Sequence, residues 1–440
     1  MVWFMMKKYF KYLILFFVVF SFFLFVSIIR PMWCDEVWVY GFCHNISKGM
    51  LIYRDFNVLQ MPLYFFVSSF FLFIFGDYVV STHIFDCILI GFLFLMIYKE
   101  KGINSILVLL ILAIGYSGYN LLTLFLFMTI LFFIDEKKDN DFLIGILVGL
   151  IFITKQNIGF ALFLPYIYYS KKKLSSIFYF FIPFLIISFY FILNSSYFSF
   201  LNCVFGSMLD FNQHNKKILF IFVLMEIFVI IHLIFLIKKT KLQDKRLVYA
   251  LFFQVISYPI FDDGHLFLAL FPYAYLLFDY DVSLKKYYFL SFLVFYSLFS
   301  VFFSSFHLSF SKNAFYLRND YYINYSFLND FSEFSKNYDN YYIFSWYAYV
   351  FKFYHQIPIN QYDFVLSGNC GYDGVNQKIK EIDQICRDSS CVFGINKDDY
   401  NSSISQWGEV IRYVRKNYQY IGSIDDFYLF GNEDYVHEEK

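Results

Sequence analysis

The chain has 440 residues, of which 59% are hydrophobic and 16% are charged. Its apolar runs are long enough to cross hydrocarbon many times, which excludes a soluble protein and indicates a polytopic membrane protein. The formal net charge is zero, so no global field favours nucleic acid or an acidic substrate, and partners have to be recognised at local sites.

The N-terminal segment is predicted to be an uncleaved membrane anchor. Lys7, Lys8 and Lys11 precede an apolar run from Tyr12 to Ile29. This run is longer than the apolar core of a secretory signal and lacks a small-x-small cleavage site. We therefore expect the N-terminus in the cytoplasm.

About eleven transmembrane helices are predicted, oriented by the rule that lysine and arginine are retained on the cytoplasmic side. The loops predicted to be cytoplasmic are 99–101, 135–141, 171–173, 238–246 and 285–286. The predicted spans are 10–29, 79–98, 103–119, 121–134, 142–154, 158–170, 174–193, 218–237, 247–261, 265–280 and 287–305. The last span ends outside.

The apolar segment from Pro62 to Phe75 is not counted as a span. It is short for a crossing, and counting it would place every later basic loop on the wrong face. We predict a helix that lies in or dips into the outer leaflet, within one long external loop covering 30–78.

The composition changes after Phe306, where Asn, Asp, Ser and Tyr rise and the long apolar runs stop. Residues 1–306 are predicted to form a transmembrane domain, and 307–440 a soluble extracytoplasmic domain. Strands are predicted at 341–345, 362–366, 391–395 and within 420–430, and helices at 375–386 and 405–417. This alternation indicates a small α/β domain.

The seven cysteines show neither a C-x-x-C pair nor a Cys/His metal spacing. Cys386 and Cys391, five residues apart in the predicted external domain, can form a disulfide. Isolated free thiols are the alternative.

Polar and charged residues collect on the predicted external face. They are Asp35, Glu36, Arg54, Asp55, Asn120, Lys155, Gln156, Asn157, Lys216, Lys217, Asp262, Asp263 and His265. Acids, bases and amides at one mouth of a bundle indicate a polar cavity, whereas the alternative for any one of them is an ordinary solvated loop.

The external loop carries the motifs that point to a family. Asp35-Glu36 ends the first span, and Gly49-x-x-x-Tyr53-Arg54-Asp55 and Met61-Pro62-Leu63 follow. This order resembles the GT-C-type membrane glycosyltransferases that use lipid-phosphate-linked sugars, the protein O-mannosyltransferase and aminoarabinose-transferase-like group. Met61 departs from that group, which has a proline at this position.

The resemblance covers about the first 300 residues. Gly145-x-x-x-Gly149-Leu150 with Thr154-Lys155 is similar to the family's Gly-Leu-x-x-x-Lys pattern, in which the lysine meets a lipid phosphate. Asp262-Asp263-Gly264-His265 followed by Phe271-Pro272 is similar to a late family segment. His265 stands where a cationic residue is usual, and histidine is only partly charged at neutral pH.

The resemblance implies transfer of a sugar from a polyprenyl phosphate to an extracytoplasmic glycan, lipid or protein acceptor by inverting displacement. Such a reaction needs a base for the acceptor hydroxyl and cations for the departing phosphate. Asp35 is the predicted base and Glu36 its neighbour at the catalytic position. The predicted substrate-binding residues are Arg54, Asp55, Lys155, Gln156, His265, Asn120 and Asp263.

The resemblance implies undecaprenyl phosphate as the carrier in a bacterial source, a cell-membrane location and no organic cofactor. Carboxylates can bind Mg²⁺ or Mn²⁺, so assistance by a divalent metal stays open.

Two other classes of protein share the need for a polar membrane site. A flippase or exporter of lipid-linked oligosaccharide needs polar groups on both faces and often has inverted repeats, whereas this sequence has one polar side and no detected repeat. A polymerase or ligase of lipid-linked glycan is separated by the Asp35-Glu36 loop. Inside the spans, Glu226 is expected to face a cavity or a partner. His83 and Asp86 are expected to form a structural hydrogen bond with each other.

Overall fold

The computed structural model describes residues 2–29, 34–114, 118–135, 140–209, 220–258, 263–280, 285–305, 325–344, 371, 373–397, 400 and 408–432. The first fourteen helices of these ranges are α1 Val2–Ile29, α2 Cys34–Ser47, α3 Leu63–Phe75, α4 Val79–Lys101, α5 Ser105–Leu110, α6 Tyr119–Asp135, α7 Asp141–Phe152, α8 Gln156–Tyr169, α9 Lys173–Leu193, α10 Tyr197–Val204, α11 Phe220–Lys239, α12 Lys245–Phe253, α13 Asp263–Tyr280 and α14 Lys285–Ser305. Short 3₁₀ turns occur at Gly102–Asn104, Ile111–Ile114, Gly206–Leu209 and Gln254–Ser257.

The remaining elements lie near the C-terminus. They are α15 Tyr325–Ser335, β1 Asn340–Phe344, α16 Gly374–Ile385, β2 Cys391–Asn396, α17 Gly408–Asn417, β3 Gln419–Ile424 and β4 Phe427–Gly431.

The chain forms two compact units, each assembled from separate stretches of sequence. The helical unit comprises Met1–Pro31, Gln60–Tyr190 and Asn215–Arg318. The sheet unit comprises Met32–Leu59, Phe191–His214 and Asn319–Lys440. The units follow contacts rather than chain order, and the functional division into 1–306 and 307–440 stays a prediction.

The helical unit is built from apolar helices. Three described stretches, Tyr9–Ile28, Val80–Leu110 and Lys173–Leu193, are long and apolar enough to cross a membrane. Large apolar side chains remain exposed on the helix surfaces, including Phe73 at 79% and Leu174 at 83%. Apolar side chains on the outside suit lipid rather than water, and the chain is an integral membrane protein.

Helix ends in this unit are capped by neighbouring side chains. The Asn140 side chain accepts a hydrogen bond from the Phe142 amide at the start of α7, with a length of 2.8 Å. The Asp244 carboxylate accepts one from the Arg246 amide at the start of α12, at 2.9 Å. These are the residue types that satisfy the open amides of a first turn.

Two predicted spans are not regular helices. The predicted span 103–119 is broken by 3₁₀ turns on either side of α5, and Gly102 ends α4 with a positive φ of 58°. Within the predicted span 247–261 the described residues form α12 and the 3₁₀ turn Gln254–Ser257, which is followed by Tyr258 with an extended backbone. Residue 259 is a proline, which disfavours a helical conformation in the residue before it. The count of eleven crossings stays a prediction.

The sheet unit contains a four-stranded sheet in the order β1-β2-β4-β3. β1 and β2 are parallel, and the other two pairs are antiparallel. Its core includes Val392 and Phe393 of β2 and Val414 of α17, all with no exposed surface. The strand and helix predictions between 341 and 430 match these elements to within a few residues, except that 362–366 lies outside the described residues. The sequence did not predict α15.

A disulfide joins Cys386, after the end of α16, to Cys391 at the start of β2. Of the two alternatives left open by the spacing, the structure has the bridge. Cys43, Cys87 and Cys203 are buried free thiols.

Candidate functional site

Asp35 and Glu36 lie in the first turn of α2 rather than in the predicted open loop. Glu36 is buried, with 7% of its surface exposed. The helix is held by burial of its own aromatic side chains, since Tyr40 and Phe42 are each 1% exposed. The backbone of Asp35 and Glu36 is therefore part of a regular helix, and the Glu36 side chain is enclosed by the protein around it.

A tight turn follows α2 at residues 51–56. The Tyr53 amide donates to the Phe56 carbonyl over 2.8 Å, and the Leu51 amide donates to Asp55 Oδ2 over 2.7 Å. Tyr53 has a φ of +68°, which is uncommon for a bulky residue. Its side chain is fully buried against the rings of Phe191 and Phe200, with centroid distances of 5.1 and 5.2 Å.

The turn presents an ion pair at its tip. Arg54 Nε and Nη2 donate to the two carboxylate oxygens of Asp55, at 2.7 and 2.9 Å. The hydrogen bond from the Arg54 side chain lowers the pKa of the Asp55 carboxyl from its ordinary value. Asp55 therefore fixes the Arg54 guanidinium, whose side chain is 52% exposed. The predicted contacts of both residues with substrate stay predictions.

The turn is also tied to α10 within the sheet unit. The Cys203 thiol donates to the side-chain oxygen of Asn57 over 3.1 Å, and both residues are buried. Burial raises the pKa of the Cys203 thiol to about 12. Cys203 is therefore a neutral structural thiol and not a nucleophile.

In the helical unit, Lys155 and Asn120 come together as a defined pair. Lys155 directly precedes the first residue of α8, and its Nζ donates to Asn120 Oδ1 over 2.7 Å. The same Nζ lies 5.8 Å from the ring centroid of Tyr119. Gln60 Nε2 donates to the Tyr119 hydroxyl over 3.4 Å. A cation at a helix N-terminus adds to the positive end of the helix dipole, so the position favours an anion.

The neighbouring predicted residues of α8 and α13 are largely enclosed. Gln156 is 6% exposed and His265 is 8% exposed. Asn157 Nδ2 donates over 3.1 Å to the carbonyl of Tyr258, and the 3₁₀ turn before Tyr258 packs against both α8 and α13. Asp263 is the first residue of α13. Lys216, Lys217 and Asp262 lie outside the described residues.

Glu226, the predicted intramembrane carboxylate, is 5% exposed in α11. Its Oε1 accepts a hydrogen bond from the Ser257 hydroxyl over 3.2 Å, and Ser257 directly precedes Tyr258. A partner of Glu226 is therefore the hydroxyl group of Ser257.

The sequence missed three side chains of the Lys155 neighbourhood. They are Tyr119, which lies against Lys155, Gln60, which donates to Tyr119, and Tyr64, which donates to Asp86 behind the start of α6. Gln60 directly precedes Met61-Pro62-Leu63 and Tyr119 directly precedes Asn120, so adjacency to a motif residue was the available signal. Within the described ranges, no group of three or more His, Cys, Asp or Glu side chains is arranged to hold a metal ion.

These features define a class: an integral membrane protein of packed apolar helices, with a small mixed sheet and buried polar groups at helix starts. No protein-family model and no curated protein matches the chain. The structure matches the crystal structure of ArnT from Cupriavidus metallidurans bound to undecaprenyl phosphate, with a TM-score of 0.58 and 10% sequence identity. The match covers 98% of this chain and 99% of that chain.

At this identity the match shows the fold alone. It supports the GT-C-type fold expected from the motifs of the first loop, and the subgroup within that class stays a prediction.

Proposed function

We propose that the chain is a membrane glycosyltransferase that transfers a sugar from a polyprenyl-phosphate donor to an extracytoplasmic acceptor. The observation that carries the proposal is the shared fold over nearly the whole length of ArnT, whose structure is bound to undecaprenyl phosphate. An exporter of lipid-linked oligosaccharide is not favoured by this match.

The proposed reaction is a single inverting displacement. The acceptor oxygen attacks the anomeric carbon, its proton passes to Asp35, and the bond from the anomeric carbon to the phosphate oxygen breaks. The electron pair leaves with the polyprenyl phosphate. Glu36 lies beside Asp35 in α2 and orients it or the acceptor. General-base catalysis by a positioned carboxylate contributes about 10²- to 10⁴-fold.

Lys155 and Arg54 are the proposed cations for the donor phosphate. Asn120 holds Lys155 Nζ in place, and Asp55 holds the Arg54 guanidinium. A side chain that is already fixed loses less conformational freedom when it binds an anion. Gln156, His265 and Asp263 are assigned to sugar or phosphate contacts as part of the same proposal.

Two measurements test the proposal. Mass analysis of surface glycans in cells with and without the gene should show loss of one sugar residue, and unchanged glycans would contradict a transferase role.

Purified Lys155→Ala should bind undecaprenyl phosphate about 10-fold more weakly, because a charge-assisted contact is lost. Lys172→Ala, at an exposed lysine of a predicted cytoplasmic loop, is the matched control and should bind normally.

A further inference from the structure

Asp86 is a carboxylate buried in the helical unit, with 4% of its surface exposed. Burying such a group is costly unless hydrogen bonds compensate it. Asp86 lies in α4, and it accepts hydrogen bonds from two other segments of the chain. The Tyr64 hydroxyl of α3 donates to its Oδ1 over 3.2 Å, and the Gly118 amide donates to its Oδ2 over 3.1 Å.

Gly118 directly precedes the first residue of α6. Its carbonyl accepts hydrogen bonds from the amides of Leu121 and Leu122 in the first turn. Its φ of +76° is a conformation that glycine adopts without steric cost. The first amides of a helix have no partner within the helix, and their end of the helix dipole is positive. The Asp86 carboxylate supplies both an acceptor and a negative charge at this end.

The first two residues of α6 both lie against Lys155. Asn120 Oδ1 accepts the hydrogen bond from Lys155 Nζ, and the Tyr119 ring lies 5.8 Å from the same atom. Both side chains therefore take their position from the start of the helix that Asp86 anchors. A displacement of Gly118 would carry both of them away from Lys155.

We propose that Asp86 is a positioning residue, which acts through the start of α6 to hold Lys155 where it binds the donor phosphate. The inference rests on the proposed function, in which Lys155 contacts that phosphate. In this proposal Asp86 acts through other residues and does not touch the lipid or the reacting atoms. Its carboxylate sets the position of Asn120 and Tyr119, and these set the direction of the Lys155 ammonium group.

A double-mutant cycle on the full chain in lipid nanodiscs tests this role, with undecaprenyl phosphate as the probe and native mass spectrometry as the readout. Asp86→Asn keeps the size of the side chain but removes its charge and one acceptor oxygen. We expect its Kd for the lipid to rise about 10-fold, within the range seen for residues that couple through one network. In the Lys155→Ala background the same substitution should change Kd by less than about 2-fold.

Additive effects of the two substitutions would overturn the positioning role, because a merely structural carboxylate weakens binding whether or not Lys155 is present. Tyr64→Phe covers the case in which Asp86→Asn does not fold, since it removes one hydrogen bond and leaves the carboxylate. Tyr64→Phe should raise the Kd for the lipid less than Asp86→Asn does, again only when Lys155 is present. An unchanged Kd would overturn the positioning role of Asp86.

Thr129→Val is the matched control within α6. Thr129 lies ten residues beyond Tyr119 along the helix, and its hydroxyl donates to the Phe125 carbonyl. Loss of this hydroxyl should leave lipid binding unchanged. Failure of the proposed function has a different result: Lys155→Ala alone would then leave Kd unchanged. Additive losses would contradict the positioning role of Asp86 and leave the phosphate role of Lys155 standing.

Discussion

Tyr53 shows how a single residue can determine the direction of its neighbour. A non-glycine residue at a positive φ costs of the order of 1–3 kcal/mol, so it persists only where its surroundings enforce it. Here the surroundings include the rings of Phe191 and Phe200, against which the fully buried tyrosine ring packs. Arg54 is the next residue of this turn, and its side chain is 52% exposed.

The central prediction at this scale concerns the base. Asp35→Asn keeps the size of the side chain and removes the basic oxygen, so turnover should fall about 10²- to 10⁴-fold while donor binding survives. The measurement is turnover of a polyprenyl-phosphate sugar by purified protein, with thermal unfolding to check the fold. Asp388→Asn, at an exposed residue of the sheet unit, should retain activity. Near-normal turnover in folded Asp35→Asn would transfer the role to Asp55 or Glu36.

The Arg54–Asp55 pair gives a prediction about pH. The hydrogen bond from Arg54 lowers the pKa of Asp55 in the folded protein, so the pair contributes stability above the ordinary aspartate pKa of about 3.9. That contribution is lost as pH falls through the lowered pKa. Wild type should therefore have a higher Tm than Asp55→Asn at pH 7, and the difference should shrink as pH falls below about 3.9 and vanish below the lowered pKa.

A Tm difference between wild type and Asp55→Asn that was no smaller at pH 3 than at pH 7 would contradict the assignment. Asp388→Asn serves again as the control and should leave Tm unchanged at pH 7.

At the scale of elements, apolar runs predicted most helices, whereas packing decided the exceptions. The segment of α2 was predicted as part of the external loop 30–78, because it lies between two predicted spans. Burial of Tyr40, Phe42 and Cys43 stabilises it as a helix. Lys155 and Asn120 were named together from their external position, but the sequence contains no sign of the bond between them, since they are 35 residues apart.

A network of charged side chains around Arg246 joins the end of α6, the start of α12 and the end of α13. Its guanidinium pairs with Asp135 at the end of α6, with Asp244 before α12 at 2.7 Å, and with Asp279 of α13 at 3.0 Å. Lys101 of α4 also pairs with Asp279. Three helices, α6, α12 and α13, therefore meet through one arginine, whose side chain is 13% exposed, and α4 joins them through Lys101.

Arg246→Gln should destabilise the protein by about 1–3 kcal/mol, because three largely enclosed carboxylates lose their shared cation. Chemical denaturation in detergent measures the change. Arg387→Gln is the control: that arginine pairs with Asp383 at a surface where both side chains are more than half exposed, and such pairs contribute little. Equal effects of the two substitutions would show that the network does not stabilise the helix ends.

At the scale of the whole molecule, the fold is shared with ArnT although only 10% of residues are identical. Packed apolar helices require a pattern of hydrophobic residues and a total volume rather than particular side chains, so one fold tolerates wide replacement. The same tolerance explains why composition and charged loops predicted a polytopic helical protein. They could not predict that 32–59 and 191–214 join the C-terminal residues in one unit, since that depends on contacts far apart in sequence.

The predicted orientation can be tested by labelling single cysteines. Lys172 lies in a predicted cytoplasmic loop, and Asn376 lies in α16 of the predicted external region; both are exposed. In intact cells, a membrane-impermeant thiol reagent should label a cysteine placed at residue 376 and not one at residue 172. The reverse pattern would place the candidate site on the cytoplasmic side.

The sheet unit is expected to assist acceptor binding rather than the chemical step. Tyr420 of β3 is 58% exposed, and its ring meets that of Tyr428 edge to face at 5.9 Å. A tyrosine ring can stack on a sugar while its hydroxyl forms hydrogen bonds. Removing one such contact costs about 0.5–1.5 kcal/mol, so Tyr420→Ala should raise the KM for a glycan acceptor about 3- to 10-fold and leave donor binding unchanged.

Tyr288→Ala is the matched control, since that tyrosine is 76% exposed near the predicted cytoplasmic end of α14. Removing all residues after about 338 is a poorer test, because the sheet unit also includes 32–59 and would lose most of its core. An unchanged acceptor KM in Tyr420→Ala would leave the exposed tyrosine without a role in acceptor binding. A rise in the donor Kd would instead place Tyr420 on the donor side of the reaction.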